Sequence, residues 1–261
     1  MDLETVEYKT RDKVGYIVMN RPDKRNALNH QLLDDLDRAF DLAEADDAVN
    51  VVVLKGNGPS FCSGYDLGGS YYTSVPRGAD HWDMKNALLT LRGIDARYLR
   101  IWNFPKPTIA QVHGHCLAAG CYLQMLCDIS VAADNALFGH PAQRWGGVSS
   151  MPLWQILMGS KKARYMLFTG RSISGVEAER WGLVSLAVAP DDLEATVDKI
   201  ADEVAAVPPH GMLENKEALN TDLEMMGVTA MFRLHGQHNA LGRIVRPAVG
   251  FGEGVQKPDV R

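Results

Sequence analysis

The feature that most limits the fold is a rhythm in which short, continuously apolar runs alternate with longer segments of helical period. Val14, Tyr16, Ile17, Val18 and Met19 read as a strand, which Arg21-Pro22-Asp23 stops. Asn29 is placed to cap a helix whose apolar residues Leu32, Leu33, Leu36, Phe40 and Ala43 recur at helical spacing, with Asp34, Asp35, Asp37 and Arg38 on the other side. Val51–Leu54 is then an unbroken apolar run, as expected of a strand covered on both faces. The unit returns as a strand over Thr108–Val112, a turn at His113-Gly114, a helix over Ala118–Leu126 and a strand over Ile129–Ala132. Further helices are predicted over Ala163–Thr169, Gly175–Trp181 and Asp192–Val207, with a strand over Leu183–Val188 between the last two. Pro208-Pro209 breaks the series, and the pattern from Met212 to about Val245 is helical throughout. An α/β class follows, with residues 1–205 as the core and 206–261 as a helical region and tail.

Gly68–Phe104 departs from the rhythm. It carries Tyr71, Tyr72, Trp82, Met84 and Trp102 among glycine, proline and charge, and reads as an inserted loop followed by a helix over Asp83–Trp102. The 261 residues suffice for one large core, and the net charge of −5 with no Lys/Arg run argues against nucleic acid as a partner. No run of about 18 apolar residues is present and residues 1–20 lack an apolar stretch, so neither a membrane span nor a secretory signal is expected. Cys62, Cys116, Cys121 and Cys127 form no CxxC pair and read as free thiols, consistent with a cytoplasmic location.

Two glycine-containing segments are candidates for chemistry. In Phe61-Cys62-Ser63-Gly64-Tyr65-Asp66-Leu67, Gly64 permits a backbone angle that would turn the Tyr65 N–H toward a ligand; a plain strand-to-loop turn fits the same residues. In His113-Gly114-His115-Cys116-Leu117-Ala118-Ala119-Gly120-Cys121, small residues open a helix directly after a strand. The first N–H groups of a helix are unpaired and lie at the positive end of its dipole, which suits a developing oxyanion, although close helix–strand packing also calls for small residues.

Together with their neighbours these segments resemble the crotonase (enoyl-CoA hydratase/isomerase) superfamily. Arg21-Pro22-Asp23-Lys24-Arg25-Asn26-Ala27-Leu28 resembles its N-terminal signature, Phe61–Leu67 its first oxyanion loop and His113–Cys127 its second. Phe138-Gly139-His140-Pro141, Thr169-Gly170-Arg171 and Glu179–Val184 follow in the family's order. The resemblance, over about residues 10–220, implies a spiral of ββα units with a helical C-terminal trimerisation region, hence a homotrimer or hexamer. It implies an acyl-CoA thioester as substrate and no permanently bound cofactor, coenzyme A arriving as part of the substrate. By position, the N–H groups of Tyr65 and Ala119 would hold the thioester oxygen. Lys24, Ala27, Leu28, Ser63, Asp66 and Leu67 would flank the coenzyme.

The departures bear on the chemistry. Where hydratases of the family carry their two glutamates, this chain has Tyr122 and Ala142, and Ser149, Ser150 and Met151 stand where other members place a carboxylate. No Asp or Glu occurs between Asp134 and Glu177. His140 and Tyr122 are then the best proton carriers by type, with His115, Gln143 and Arg144 nearby. A histidine base of ordinary pKa would raise turnover through about pH 6–7. Isomerisation, hydrolysis of a carbon–carbon bond, hydration through another base and a non-catalytic homologue all stay open. A bulky or cyclic acyl group is expected from the aromatics of Gly68–Phe104 with Trp145 and Trp154, although these would equally pack a small core of their own. His113 and His115 have strand spacing without a third metal ligand, and His235 and His238 are expected at an interface or in solvent.

Overall fold

The structure, a computed structural model, describes residues 3–68 and 84–245. The chain starts with a hairpin of β1 (Val6–Arg11) and β2 (Val14–Met19), paired antiparallel. β3 (Val51–Gly56), β4 (Thr108–Val112), β6 (Ile129–Ala133) and β9 (Leu186–Val188) continue a six-stranded sheet in the order β1-β2-β3-β4-β6-β9, parallel from β2 onward. A second sheet holds β5 (His115–Leu117), β7 (Leu137–Gly139) and β8 (Ser172–Ser174) in the order β5-β7-β8. The chain passes between the sheets: β4 lies in the first and β5 in the second, then β6 in the first and β7 in the second. This is the ββα spiral the motifs imply. The corner at Gly114 has φ +56° and brings the backbone so near Pro59 that a Cβ there would lie 2.1 Å from its carbonyl oxygen, so only glycine fits.

Helices cover the sheets. α1 (His30–Ala45) is capped by the Asn29 side chain, which accepts from Leu32 N at 2.9 Å, and it buries Leu32, Leu33, Leu36, Phe40 and Ala43 as its periodicity predicts. α2 (Met84–Trp102) occupies the place expected for the helix of the inserted segment. Its Tyr98 and Ile101 join the core, and Phe104 meets Phe40 edge-on at 5.1 Å. α3 (Ala119–Leu126) is buried along its whole length. α4 (Leu153–Thr169), α5 (Gly175–Trp181) and α6 (Leu193–Ala205) complete the core, and α7 (Pro209–Met225) and α8 (Val228–Val245) close the chain.

The differences from the sequence reading have local causes. β1 carries exposed charges and lies at a sheet edge, so it lacks an apolar run. β5, β7 and β8 have three residues each, too few to show a period. α4 starts at Leu153, well before Ala163, and consists of two helical stretches joined at a kink, where Gly159 has a non-helical φ of +73° and interrupts the pattern. The expected strand over Leu183–Val188 narrows to β9, with Leu183 and Val184 buried in the turn before it. The single helical stretch after Met212 is two helices, divided at Gly227 with φ +85°.

α8 packs on α2, and its Phe232 is wholly buried within the chain, whereas Met225, Met226 and Leu234 are exposed. α7 is held to the core by one ion pair: Lys216 Nζ donates to Asp128 Oδ2 at 2.8 Å, and that carboxylate also accepts from Thr108 N and Oγ at 2.7 and 2.8 Å. Lys216 is 8% exposed, so loss of its partner strands a cation out of water. Asp128→Ala should lower the unfolding free energy by about 3 kcal/mol. The exposed pair Lys199–Glu203 provides the control, since its loss should cost under about 1 kcal/mol. Urea denaturation of both variants checks this.

Candidate active site

The first loop is set by Asn26, which is fully buried at φ +53°. Its amide donates to Asn57 O at 3.0 Å and Ser60 O at 2.7 Å and accepts from Arg21 N at 2.8 Å. That fixes Arg21–Leu28 against the chain leaving β3. Leu28 N then donates to Gly64 O at 2.8 Å and Asp66 N to Leu28 O at 2.9 Å, a single parallel pairing between Leu28 and Tyr65. Lys24, Ala27, Leu28, Ser63, Asp66 and Leu67 are thus brought into one region. Within it Asp66 is engaged by Arg21 at 3.0 Å and by Gly68 N at 3.1 Å, so its carboxylate holds the loop. Ala27 and Leu28 are buried, whereas Lys24 and Arg25 are exposed and within reach of an anion.

The second loop packs directly on the first. Cys62 pairs with Cys116, Cys62 N donating to His115 O and Leu117 N to Cys62 O. A Cβ on Gly120 would sit 2.3 Å from Cys62 O, so this approach needs glycine. Gly64, at φ +100°, lies close enough that its Cβ would be 3.0 Å from Ala118 Cβ and 3.6 Å from Ala119 N. Ala118 itself has φ 49° and ψ −115°, a strained conformation for a residue with a side chain, costing about 1–3 kcal/mol. It turns the chain into α3, whose first N–H belongs to Ala119 and has no acceptor within the helix. The backbones of Tyr65 and Ala119 therefore flank one point at the positive end of α3.

Beneath that point lies a buried polar chain. Tyr122 Oη is 2.6 Å from His140 Nε2 and 2.9 Å from Ser149 Oγ. Ser149 Oγ also accepts from Trp154 Nε1 at 3.0 Å and from Met151 N at 3.3 Å. The indole and backbone N–H groups only donate, so they occupy the lone pairs of Ser149 and its proton goes to Tyr122. Tyr122 in turn donates to His140 Nε2, and the Gln143 amide lies 3.3 Å from His140 Nδ1. Tyr98, which the sequence reading passed over, meets Tyr122 edge-on at 5.9 Å, and its hydroxyl is hydrogen-bonded to that of Tyr65.

Burial decides the charge states. His140 is 4% exposed and its pKa is pushed down to about 4, and burial raises the Tyr122 phenol well above its ordinary range. Both are neutral at physiological pH, so His140 is not a base that titrates at pH 6–7. The other residues singled out in the sequence are placed as follows. Trp154 is buried within the Tyr122 chain and does not face an open pocket. His235 is half-buried with Nδ1 3.4 Å from Ser149 O, while His238 is exposed. His113 Nε2 bonds Gly58 O at 2.8 Å and His115 Nδ1 lies 3.1 Å from Ser60 Oγ. Tyr71, Tyr72, Trp82 and the side chains of Met84 and Trp145 lie outside the described residues. The four cysteines are free and buried around the loops, and burial pushes Cys62 and Cys127 up to about 12.

A parallel sheet feeding two glycine-dependent loops that meet at a helix N-terminus defines a protein of the crotonase class. Residues 9–239 match the family model for enoyl-CoA hydratase/isomerase. A Rhizobium meliloti protein named "Probable enoyl-CoA hydratase" is 37% identical over 86% of this chain and 84% of its own length. The crystal structure of an enoyl-CoA hydratase from Mycobacterium smegmatis superposes with TM-score 0.86 at 30% identity, covering 93% of this chain and 85% of that one. An enoyl-CoA hydratase/isomerase from Xanthobacter autotrophicus Py2 gives TM-score 0.84 at 32% identity, covering 99% and 90%. The chain belongs to the enoyl-CoA hydratase/isomerase family.

The lowered pKa of His140 has a consequence for stability. The folded protein resists protonating this ring, so its contribution is present above the unfolded pKa of about 6.5 and is lost as pH falls toward 4. This one group should cost the wild type up to about 3 kcal/mol over that interval. His140→Gln should lack that part of the acid sensitivity, as read from denaturant unfolding at pH 7.5 and 4.5.

Proposed function

We propose that this protein is an enzyme of acyl-CoA thioesters that forms an enolate at the Tyr65 and Ala119 N–H groups. Lys24 and Arg25 face the coenzyme phosphates, and the Lys24–Leu28 and Ser63–Leu67 segments line its path. Tyr122, its proton given to His140 and one lone pair taken by Ser149, turns its remaining lone pair to the acyl group where hydratases use a carboxylate. One observation carries this reading: the neutral chain Ser149–Tyr122–His140 lies under the junction of Gly64 with the start of α3. A helix N-terminus and two backbone donors stabilise an anion best when no buried negative charge lies beside them, and a neutral phenol adds none. Isomerisation through a dienolate, or cleavage of a carbon–carbon bond to an enolate, suits this site better than addition of water, because Tyr122 and Ala142 stand where hydratases carry carboxylates and the Asp66 carboxylate of the first loop is held by Arg21. A bulky or cyclic acyl group is the class to try first.

Hydration itself is the second reading, favoured by the hydratase names that the relatives carry. Crotonyl-CoA separates the two. Its hydration should stay far below about 10 s⁻¹, a typical enzyme rate, and turnover above that level gives the preference to hydration. Tyr122→Phe should lower turnover of the best substrate at least tenfold with little change in ester affinity, measured by steady-state kinetics and calorimetry.

The assembly belongs to the same proposal. Residues 206–261 serve oligomerisation, with the exposed Met225, Met226 and Leu234 as the apolar surface that a second copy would cover. Analytical ultracentrifugation should give a trimer or hexamer, and a 28.7 kDa monomer at micromolar concentration counts against this assembly.

A further inference from the structure

Of the buried carboxylates among the described residues, one is left without a partner. Asp35 accepts from Thr5, Glu4 and Gln31 and is accounted for. Asp95, on α2, is 8% exposed and makes no hydrogen bond or ion pair among the described residues. A carboxylate withdrawn from water without compensation is expensive, so its retention calls for a reason outside stability. Its position supplies one. Asp95 stands one turn before Tyr98 on the buried face of α2, and Tyr98 touches both Tyr65, through the hydroxyls, and Tyr122, through the ring. On the other side it rests on Gly236 of α8, where a Cβ would lie 2.9 Å from Asp95 Oδ2. The neighbouring residues of α8, His235 and Asn239, bond the carbonyls of Ser149 and Val148, so α8 spans from Asp95 to the segment that supports Tyr122.

We propose that Asp95 is the proton-transferring carboxyl of this site, reaching the acyl group from α2 where the usual loops provide no acid. The inference rests on the acyl-CoA reading above. Asp95 takes the proton from the thioester α-carbon, and the C–H electron pair moves into the enolate, whose oxygen the Tyr65 and Ala119 N–H groups hold. Returning the proton to the same carbon restores the ester. Returning it to the γ-carbon of an enoyl ester moves the double bond, and no other reactant is consumed. Burial pushes the pKa of Asp95 up to about 6, which brings it close to the operating range of a general base. Tyr98 follows it by one turn on its own helix, and His235 on α8 adjoins Gly236, on which Asp95 rests. Arg97 turns away to Asp34 and Asp37 of α1, and Arg92 is exposed.

The test uses the full chain in D2O with two saturated probes, butyryl-CoA and cyclohexanecarbonyl-CoA. Deuterium entering the α-carbon is followed by NMR, and affinity by calorimetry. The wild type should exchange the α-proton, with a rate that rises through about pH 6. Asp95→Asn should slow exchange at least about 100-fold while the dissociation constant shifts less than threefold, and Asp95→Glu should restore part of the rate. The same Asp95→Asn chain should melt no lower than the wild type at pH 8, since it sheds an uncompensated charge; a purely structural aspartate would melt lower. Exchange unchanged in Asp95→Asn, or absent in a wild type that binds the probes, overturns the assignment of Asp95. A wild type that binds no CoA ester overturns the acyl-CoA reading itself, and this inference with it.

Discussion

Everything at the candidate site depends on how closely one backbone crosses another. The chain leaving β3 runs against the start of α3 with no side chain between them at Gly120, and Gly64 sits beside Ala118 and Ala119. Removing the side chains lets main-chain dipoles converge on one point. The strained Ala118 is the cost of turning from β5 into the helix there. The surrounding order follows from this crossing: Asn26 and the Arg21–Asp66 pair pin the first loop from below, and the second sheet fixes the register of the other. Because these bonds are made within the protein, the two loops are ordered by the fold itself, and a ligand would not need to order them.

The buried polar groups around the crossing divide into two kinds. Ser149, Tyr122 and His140 form a chain in which the Ser149 proton goes to Tyr122 and the Tyr122 proton to His140, and Tyr122 and His140 are held neutral by burial. Such a chain sets orientation firmly and leaves the local potential positive. Asp95 is the opposite: negative when ionised, unpaired, and supplied by a helix of the inserted segment.

Much of the architecture was legible because long elements display their period. Leu32, Leu33, Leu36, Phe40 and Ala43 mark the buried face of α1, and Val51–Leu54 marks a strand covered on both sides. The three strands of the second sheet were not legible, since three residues cannot show an alternation and their pairing is decided by tertiary contacts. The loops could be read because glycine is forced wherever backbones touch. Titration was illegible: His140 reads as an ordinary histidine until its burial is known. Asp95 was missed for the same reason, because an acid on an amphipathic helix reads as solvent-facing unless the packing of α8 at Gly236 is seen.

The four cysteines give the crossing a second use. Cys62 and Cys116 lie on its two strands, Cys121 is in α3 with its sulfur 2.7 Å from Cys116 O, and Cys127 ends the same helix. Every one of these thiols is buried, and burial holds Cys62, Cys116 and Cys127 in the protonated form, so those three do not react as thiolates while the loops are packed together. Their modification then waits on opening of the surrounding backbone. The rate at which a thiol reagent enters is a clock for the local unfolding of the two crossing loops, and its slowing by a bound ligand would measure how firmly that ligand holds them together.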